Sequence, residues 1–205
     1  MLLDSDDCQL VLVDYQARLM PAIFEGPAVL ANALRLAQMA RVMQLPVFGT
    51  EQNPSRLGEN PADIRALCDR TLDKMHFSAV GDGLADWLRP PAPPARPPQG
   101  NARSLPKHLQ KSAAPADEDQ RNVIVLAGCE AHVCLLQTAL DLVQEEFDVW
   151  VVSDACGSRT ERNRDAAFDR LAGAGVELVT TEMVVFEWLG GCEHPAFKDL
   201  LALVK

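Results

Sequence analysis

Short runs of apolar, largely β-branched residues alternate along this chain with longer stretches in which apolar side chains recur every three or four positions. The first run, "QLVLVD" (residues 9 to 14), precedes "PAVLANALRLAQMARVMQ" (27 to 44). There Val29, Leu30, Ala33, Leu34, Ala37 and Ala40 repeat near the 3.6-residue period of one buried helix face. "PVFGT" (46 to 50) predicts a second strand, and "PADIRALC" (61 to 68) a short helix with proline at its start. "TLDK" (71 to 74) predicts a weak third strand, with a brief helix after it at "GLADWLR". Further on, "NVIVLAG" (122 to 128) leads into "HVCLLQTALDLVQEE", and "FDVWVVSD" (147 to 154) into "ERNRDAAFDRLAGAG". "VELVTT" (176 to 181) is the last strand, before helical patterns in "EMVVFEWL" and "PAFKDLLALV".

Strands apolar on both faces belong to a parallel sheet covered by helices above and below, so the pattern predicts a doubly wound α/β fold. Ligands of such sheets bind beyond the carboxyl ends of the strands, where strand order reverses. Asp14, Thr50 to Gln52, Lys74, residues 128 to 134 and Asp154 all fall at predicted strand exits.

One stretch breaks the alternation. "RPPAPPARPPQGNARSLPKHLQKSAAPADEDQRN" (89 to 122) is rich in proline and alanine, basic at first and acidic at "DED". Proline removes amide donors and enforces extended backbone, which predicts an exposed, partly disordered insertion, either a spacer or a proline-motif ligand for a partner. The rest of residues 1 to 205 is expected to fold as one domain, since 205 residues with 48% hydrophobic content suffice for one sizeable core.

A formal net charge of -10 repels nucleic-acid phosphates and anionic membrane surfaces, so neither is an expected partner. The chain has no uncharged apolar run of about 18 residues, and "MLLDSDDCQL" has no signal-peptide character. A cytoplasmic location is expected, with the six cysteines (8, 68, 129, 134, 156 and 192) as free thiols.

Candidate chemistry concentrates in "GCEAHVCL" (128 to 135). A structural zinc site needs a second pair of closely spaced Cys or His, and the chain has none. Neither GxGxxG nor GxxxxGK[ST] occurs, so no metal and no nucleotide cofactor is expected. A cysteine at a strand-to-helix junction is a candidate nucleophile, because helix-start amides lower a thiol pKa from about 8.5 to roughly 3.5–7.5. Cys134 is either that nucleophile or a small buried core residue. Asp14 would accept its proton or cap a turn, and Lys74 would deepen the shift or lie solvated at the surface. His76 and His132 read as structural or solvent-facing.

"LVLVDYQARLMPAI" (10 to 23), "LDKMHFSAV" (72 to 80) and "GCEAHVCLLQTALDL" (128 to 142), in that order, resemble the signature segments of the isochorismatase-like, or cysteine hydrolase, superfamily. The similarity continues through "VVSDACGSRTERNRDAAFDRL" (151 to 171) and "HPAFKDLL" (194 to 201), and "TEQNPSRLGE" (50 to 59) points to the isochorismatase-domain-containing subgroup. The resemblance implies a six-stranded Rossmann-like parallel sheet of order 3-2-1-4-5-6, an Asp14–Lys74–Cys134 triad, and a non-proline cis peptide joining Cys129 and Glu130. That peptide would aim backbone amides at an oxyanion, leaving Cys129 as packing.

Two departures narrow the expectation. Nicotinamidases of the superfamily bind a metal through an Asp-x-His motif after strand 2, where this chain has "TEQNPSRLGEN". Enzymes that cleave isochorismate itself generally lack the cysteine. What remains is metal-independent hydrolysis of a small amide-like C–N bond through a thioester, with Gln16, Thr50, Gln52 and Phe77 as pocket walls. The alternatives are a scaffold module of little turnover and a thiol redox sensor. A small-molecule substrate and a homo-oligomer complete the expectations.

Overall fold

The computed structural model describes residues 2 to 90 and 121 to 204. Its sheet consists of β1 (Cys8–Val13), β2 (Val47–Gln52), β3 (Arg70–Lys74), β4 (Val123–Gly128), β5 (Asp148–Val152) and β6 (Glu177–Val179). All pairings are parallel, in the order β3-β2-β1-β4-β5-β6. Every residue of β1, β2 and β4 is buried, as is β5 beyond Asp148, which is why β1, β4 and β5 read as near-continuous apolar runs, whereas β2 turns polar at Thr50, Glu51 and Gln52 on its way to the carboxyl end of the sheet. β3 lies on the sheet edge and buries only Lys74, so its sequence carries the weakest strand pattern.

The helices are α1 (Gly26–Val42), α2 (Pro54–Leu57), α3 (Ala62–Leu67), α4 (Leu84–Leu88), α5 (Leu136–Gln144), α6 (Glu161–Gly173), α7 (Thr181–Leu189) and α8 (Phe197–Val204). α1 packs with α3, α7 and α8, while α5 packs with α6 and with the 3-10 turn Val80–Asp82 before α4. Right-handed crossovers require this division once the chain passes from β3 back to β4. Val29, Ala33, Leu36, Ala37, Met39 and Ala40 form the buried face of α1, and its alanines let the helix approach the sheet closely. Each fully buried leucine such as Leu36 contributes about 1.5–3 kcal/mol. The helix ends at Val42, two residues before its apolar pattern does, because Gln44 adopts a left-handed φ of 60° ahead of Pro46. Thr160 and Thr180 cap α6 and α7 by accepting from the amides of Asn163 and Met183.

β1 and β4 meet in register from Cys8 against Val123 to Val13 against Gly128. Glycine is needed at the last pair: a Cβ on Gly128 would stand 2.3 Å from the Val13 carbonyl oxygen. Two features lay outside the periodicity. α2 is a single short turn, and the segment entering α5 begins as a π-helical turn, Ala131–Leu135, closed by Leu135 N–H donating to the Glu130 carbonyl at 3.3 Å.

The proline-rich insertion is rooted at the opposite end of the sheet. Gln9 donates to the carbonyls of Leu88 and Arg121, and Arg89 donates to Asn122 Oδ1 at 2.6 Å. Those root residues belong to the folded body; residues 91 to 120, the bulk of the insertion, lie outside the described residues. Among the described residues no helix is long and apolar enough to cross a membrane.

Candidate active site

Three strand exits converge where β1 and β4 diverge. Asp14 directly follows β1 with a left-handed φ of 53°, a conformation that short polar Asp tolerates better than most residues. The carboxylate is fully buried: Oδ1 accepts from Thr50 Oγ1 at 2.7 Å and Oδ2 lies 2.7 Å from Lys74 Nζ. Lys74 ends β3, two strands away, a separation of about 9.6 Å that only a long side chain can cross. Its ammonium donates to Gln52 Oε1 at 2.8 Å and to the carbonyls of Phe77 at 3.0 Å and His76 at 3.3 Å, so its contact with Asp14 Oδ2 is an ion pair beside three hydrogen bonds.

Cys134 sits in the π-helical turn after β4, with its thiol close enough to the Asp14 carboxylate and the Lys74 ammonium to feel both charges. Burial pushes that thiol up to about 12; the charge of Asp14 adds to the rise and that of Lys74 opposes it. The low-pKa thiolate expected of a helix start is therefore corrected. Desolvation and a neighbouring carboxylate outweigh the helix-start amides, so the resting group is a neutral thiol. Cys129 is fully buried and its thiol is raised by burial, as suits a packing residue. The peptide joining Cys129 to Glu130 is cis, and among the described residues the Glu130 amide has no hydrogen-bond acceptor.

Cys134 opens onto a cavity of about 280 Å³. Gln52 and Phe77 lie on its wall, as the sequence suggested, whereas Gln16 and Thr50 lie behind it. Thr50 holds Asp14. Gln16 clamps the backbone of Gln52, accepting from its amide at 2.8 Å and donating to its carbonyl at 2.9 Å, and also donates to the Gly58 carbonyl. The remaining walls are Leu19, Leu57, Val133 and the Glu130–Arg159 pair, in which Arg159 Nε donates to Glu130 Oε2 at 2.9 Å. Sequence reasoning passed over Arg159 and these apolar residues; "GSRTER" after β5 follows a strand exit, the one signal that marked Arg159. His132 bonds Ser158 and faces Asn163, whereas His76 pairs with Asp82 at the surface and faces solvent. Among the described residues no three His, Cys, Asp or Glu side chains cluster closely enough to hold a metal ion.

A sequence model of the isochorismatase domain matches residues 113–183. Isochorismatase domain-containing protein 2 of Xenopus laevis is 31% identical, over 95% of this chain and 82% of its own. Among solved structures, a MAR1 ribonuclease from Caenorhabditis elegans superposes with a TM-score of 0.81 at 27% identity, covering 100% of this chain and 92% of that one. The YcaC gene product of Escherichia coli, described as an octameric hydrolase of unknown specificity, superposes at 0.75 with 23% identity, covering 98% and 95%. With identity of that level over nearly its whole length, the chain belongs to the isochorismatase-domain family of hydrolase fold.

Proposed function

We propose that the protein is a cysteine-dependent hydrolase of a small amide-like C–N bond. The observation that carries this reading is the buried Asp14–Lys74 pair next to Cys134, the one cysteine among the described residues on the cavity wall. Because the thiol rests neutral, Asp14 takes its proton as the sulfur attacks the substrate carbonyl, rather than from a standing thiolate. Lys74 stays a fixed cation that favours the charged forms. The tetrahedral oxyanion is received by the amides of Glu130 and Cys134. Collapse breaks the C–N bond, Asp14 returns the proton to the leaving nitrogen, and ammonia or an amine departs from a Cys134 thioester. Water, deprotonated by Asp14, then hydrolyses the thioester and restores the thiol.

No step passes through a metal, since Asn53, Pro54 and Ser55 after β2 offer no His or carboxylate ligand. A standing thiolate, which oxidation by peroxide requires, is disfavoured at Cys134, and this sets the hydrolase ahead of a redox sensor. The ribonuclease name belongs to the nematode relative; a chain of net charge -10, with a largely apolar cavity, is poorly suited to polyphosphate substrates. Assembly with further copies of itself is part of the reading, supported by exposed Met183 and Phe186 on α7 and by the octameric neighbour.

The test is trapping. Incubation with small amides, quenching in acid and intact-mass measurement are expected to show an acyl adduct on Cys134 that hydroxylamine removes. Turnover without any such adduct in wild type, undiminished in Cys134→Ala, would sink the proposal.

A further inference from the structure

Among the described residues, the charged groups on and behind the wall of this cavity stand in pairs of opposite sign. Asp14 and Lys74 form one pair behind the thiol, and Glu130 and Arg159 form the other on the wall. Glu130 Oε2 accepts from Arg159 Nε at 2.9 Å and from the Arg159 backbone amide at 3.3 Å, so one carboxylate oxygen ties both the side chain and the backbone of Arg159 to the wall. Glu130 is buried, whereas the Arg159 side chain is 61% exposed. The amide of Gln52 is committed too: Oε1 accepts from Lys74 and Nε2 donates to the Met75 carbonyl. Leu19, Leu57, Phe77 and Val133 supply the rest of the lining, which is apolar.

We propose that this site selects small uncharged acyl groups, with the Glu130–Arg159 pair as its specificity element. The proposal rests on the cysteine hydrolase reading for the identity of the scissile bond, but charge selection is a property of the cavity alone. An acyl group bearing a carboxylate would have to share Arg159 with Glu130 while standing beside that carboxylate. An acyl group bearing an ammonium would meet Arg159 in the same way. Either would surrender hydration to a largely apolar wall and bring a like charge beside one member of a formed pair, which is costly, whereas an aliphatic group gives up only water. The cavity of about 280 Å³ has the room of roughly nine liquid waters, so the acyl part is a fragment of a few carbons.

Charge selection can be read without turnover. Three methanethiosulfonates of similar length are used: propyl (neutral), sulfonatoethyl (anionic) and trimethylammonioethyl (cationic). Each transfers its thioalkyl group to the Cys134 sulfur as a mixed disulfide and releases methanesulfinate. Rates at Cys134 are followed by mass spectrometry and divided by the rate of the same reagent with N-acetylcysteinamide. The neutral reagent is expected to lead both charged ones by about tenfold or more. Arg159→Gln is expected to raise the cationic reagent and lower the anionic one, and Glu130→Gln to do the reverse. A wild-type preference for the anionic reagent over the neutral one would overturn the proposal, because Arg159 would then be free to recruit an anion. Identical reagent ratios in wild type and Arg159→Gln would overturn it as well. Failure of the hydrolase reading is distinguishable: amides would go uncleaved while the reagent ratios stayed as expected.

Discussion

Replacing Lys74 by Met removes half of an ion pair in which both side chains are fully buried and 2.7 Å apart. At that distance the attraction is roughly 6 kcal/mol for an effective dielectric of about 20, much of it offset in the wild type by desolvation of the two charges. Lys74→Met keeps Asp14 desolvated and discards the attraction, and Gln52 Oε1 and the Phe77 carbonyl lose their donor. The expected loss of stability is about 3–5 kcal/mol. Asp14→Asn, which strands the cation instead, should cost a similar amount. The double variant should cost clearly less than the sum, with a coupling of about 2–3 kcal/mol, because no charge then remains unpaired. Urea unfolding of the four proteins at pH 7 gives the cycle directly, from shifts in midpoint at constant slope. A cost below about 1 kcal/mol for Lys74→Met, the value of a solvated surface pair, would refute the buried geometry, as would strict additivity in the double variant.

Because the Cys134 thiol is pushed up to about 12, its iodoacetamide rate should still be climbing at pH 10, and Lys74→Met should move the curve higher still; a plateau below about pH 8 would contradict the described electrostatics. Gly128→Ala should destabilise the protein by about 3 kcal/mol or more, since its Cβ would lie 2.3 Å from the Val13 carbonyl; a thermal midpoint unchanged from wild type would show that β1 and β4 are not so close. Burial holds the Glu51 carboxyl above its ordinary value of 4.5, so the proton retained on folding stabilises the fold at low pH and that contribution is lost as pH rises through the folded value. Glu51→Gln, which has no charge to desolvate, should therefore gain on wild type as pH is raised from about 4 to 7 in chemical denaturation, and a flat difference would count against it.

The ends of β1 and β4, which place Asp14 and the segment leading to Cys134, were legible because parallel strands buried on both faces leave long apolar runs. β3, mostly exposed on its edge, ends at its one buried residue, Lys74, which is held there by the pairing of its charge. The cavity wall was less legible. Leu19 lies in the turn after β1, Leu57 ends α2 and Arg159 precedes α6, and only tertiary packing sets them around Cys134. Gln16 and Thr50 are polar residues at strand exits, as pocket residues often are, but their hydrogen bonds turn inward to the backbone and to Asp14. The π-helical turn at Ala131–Leu135 carries no periodic signature over five residues. The state of the Cys134 thiol was hidden for a different reason: position at a helix start can be read in one dimension, whereas desolvation and the facing carboxylate arise only on folding.

The most direct measurement is ammonia release from a panel of short aliphatic primary amides by wild type and by Cys134→Ala, with folding of both verified by circular dichroism. The account predicts release by wild type and background by Cys134→Ala, with accumulated acyl-enzyme disappearing as free acid forms. Equal release by both proteins, or no release by either across the panel, would contradict it.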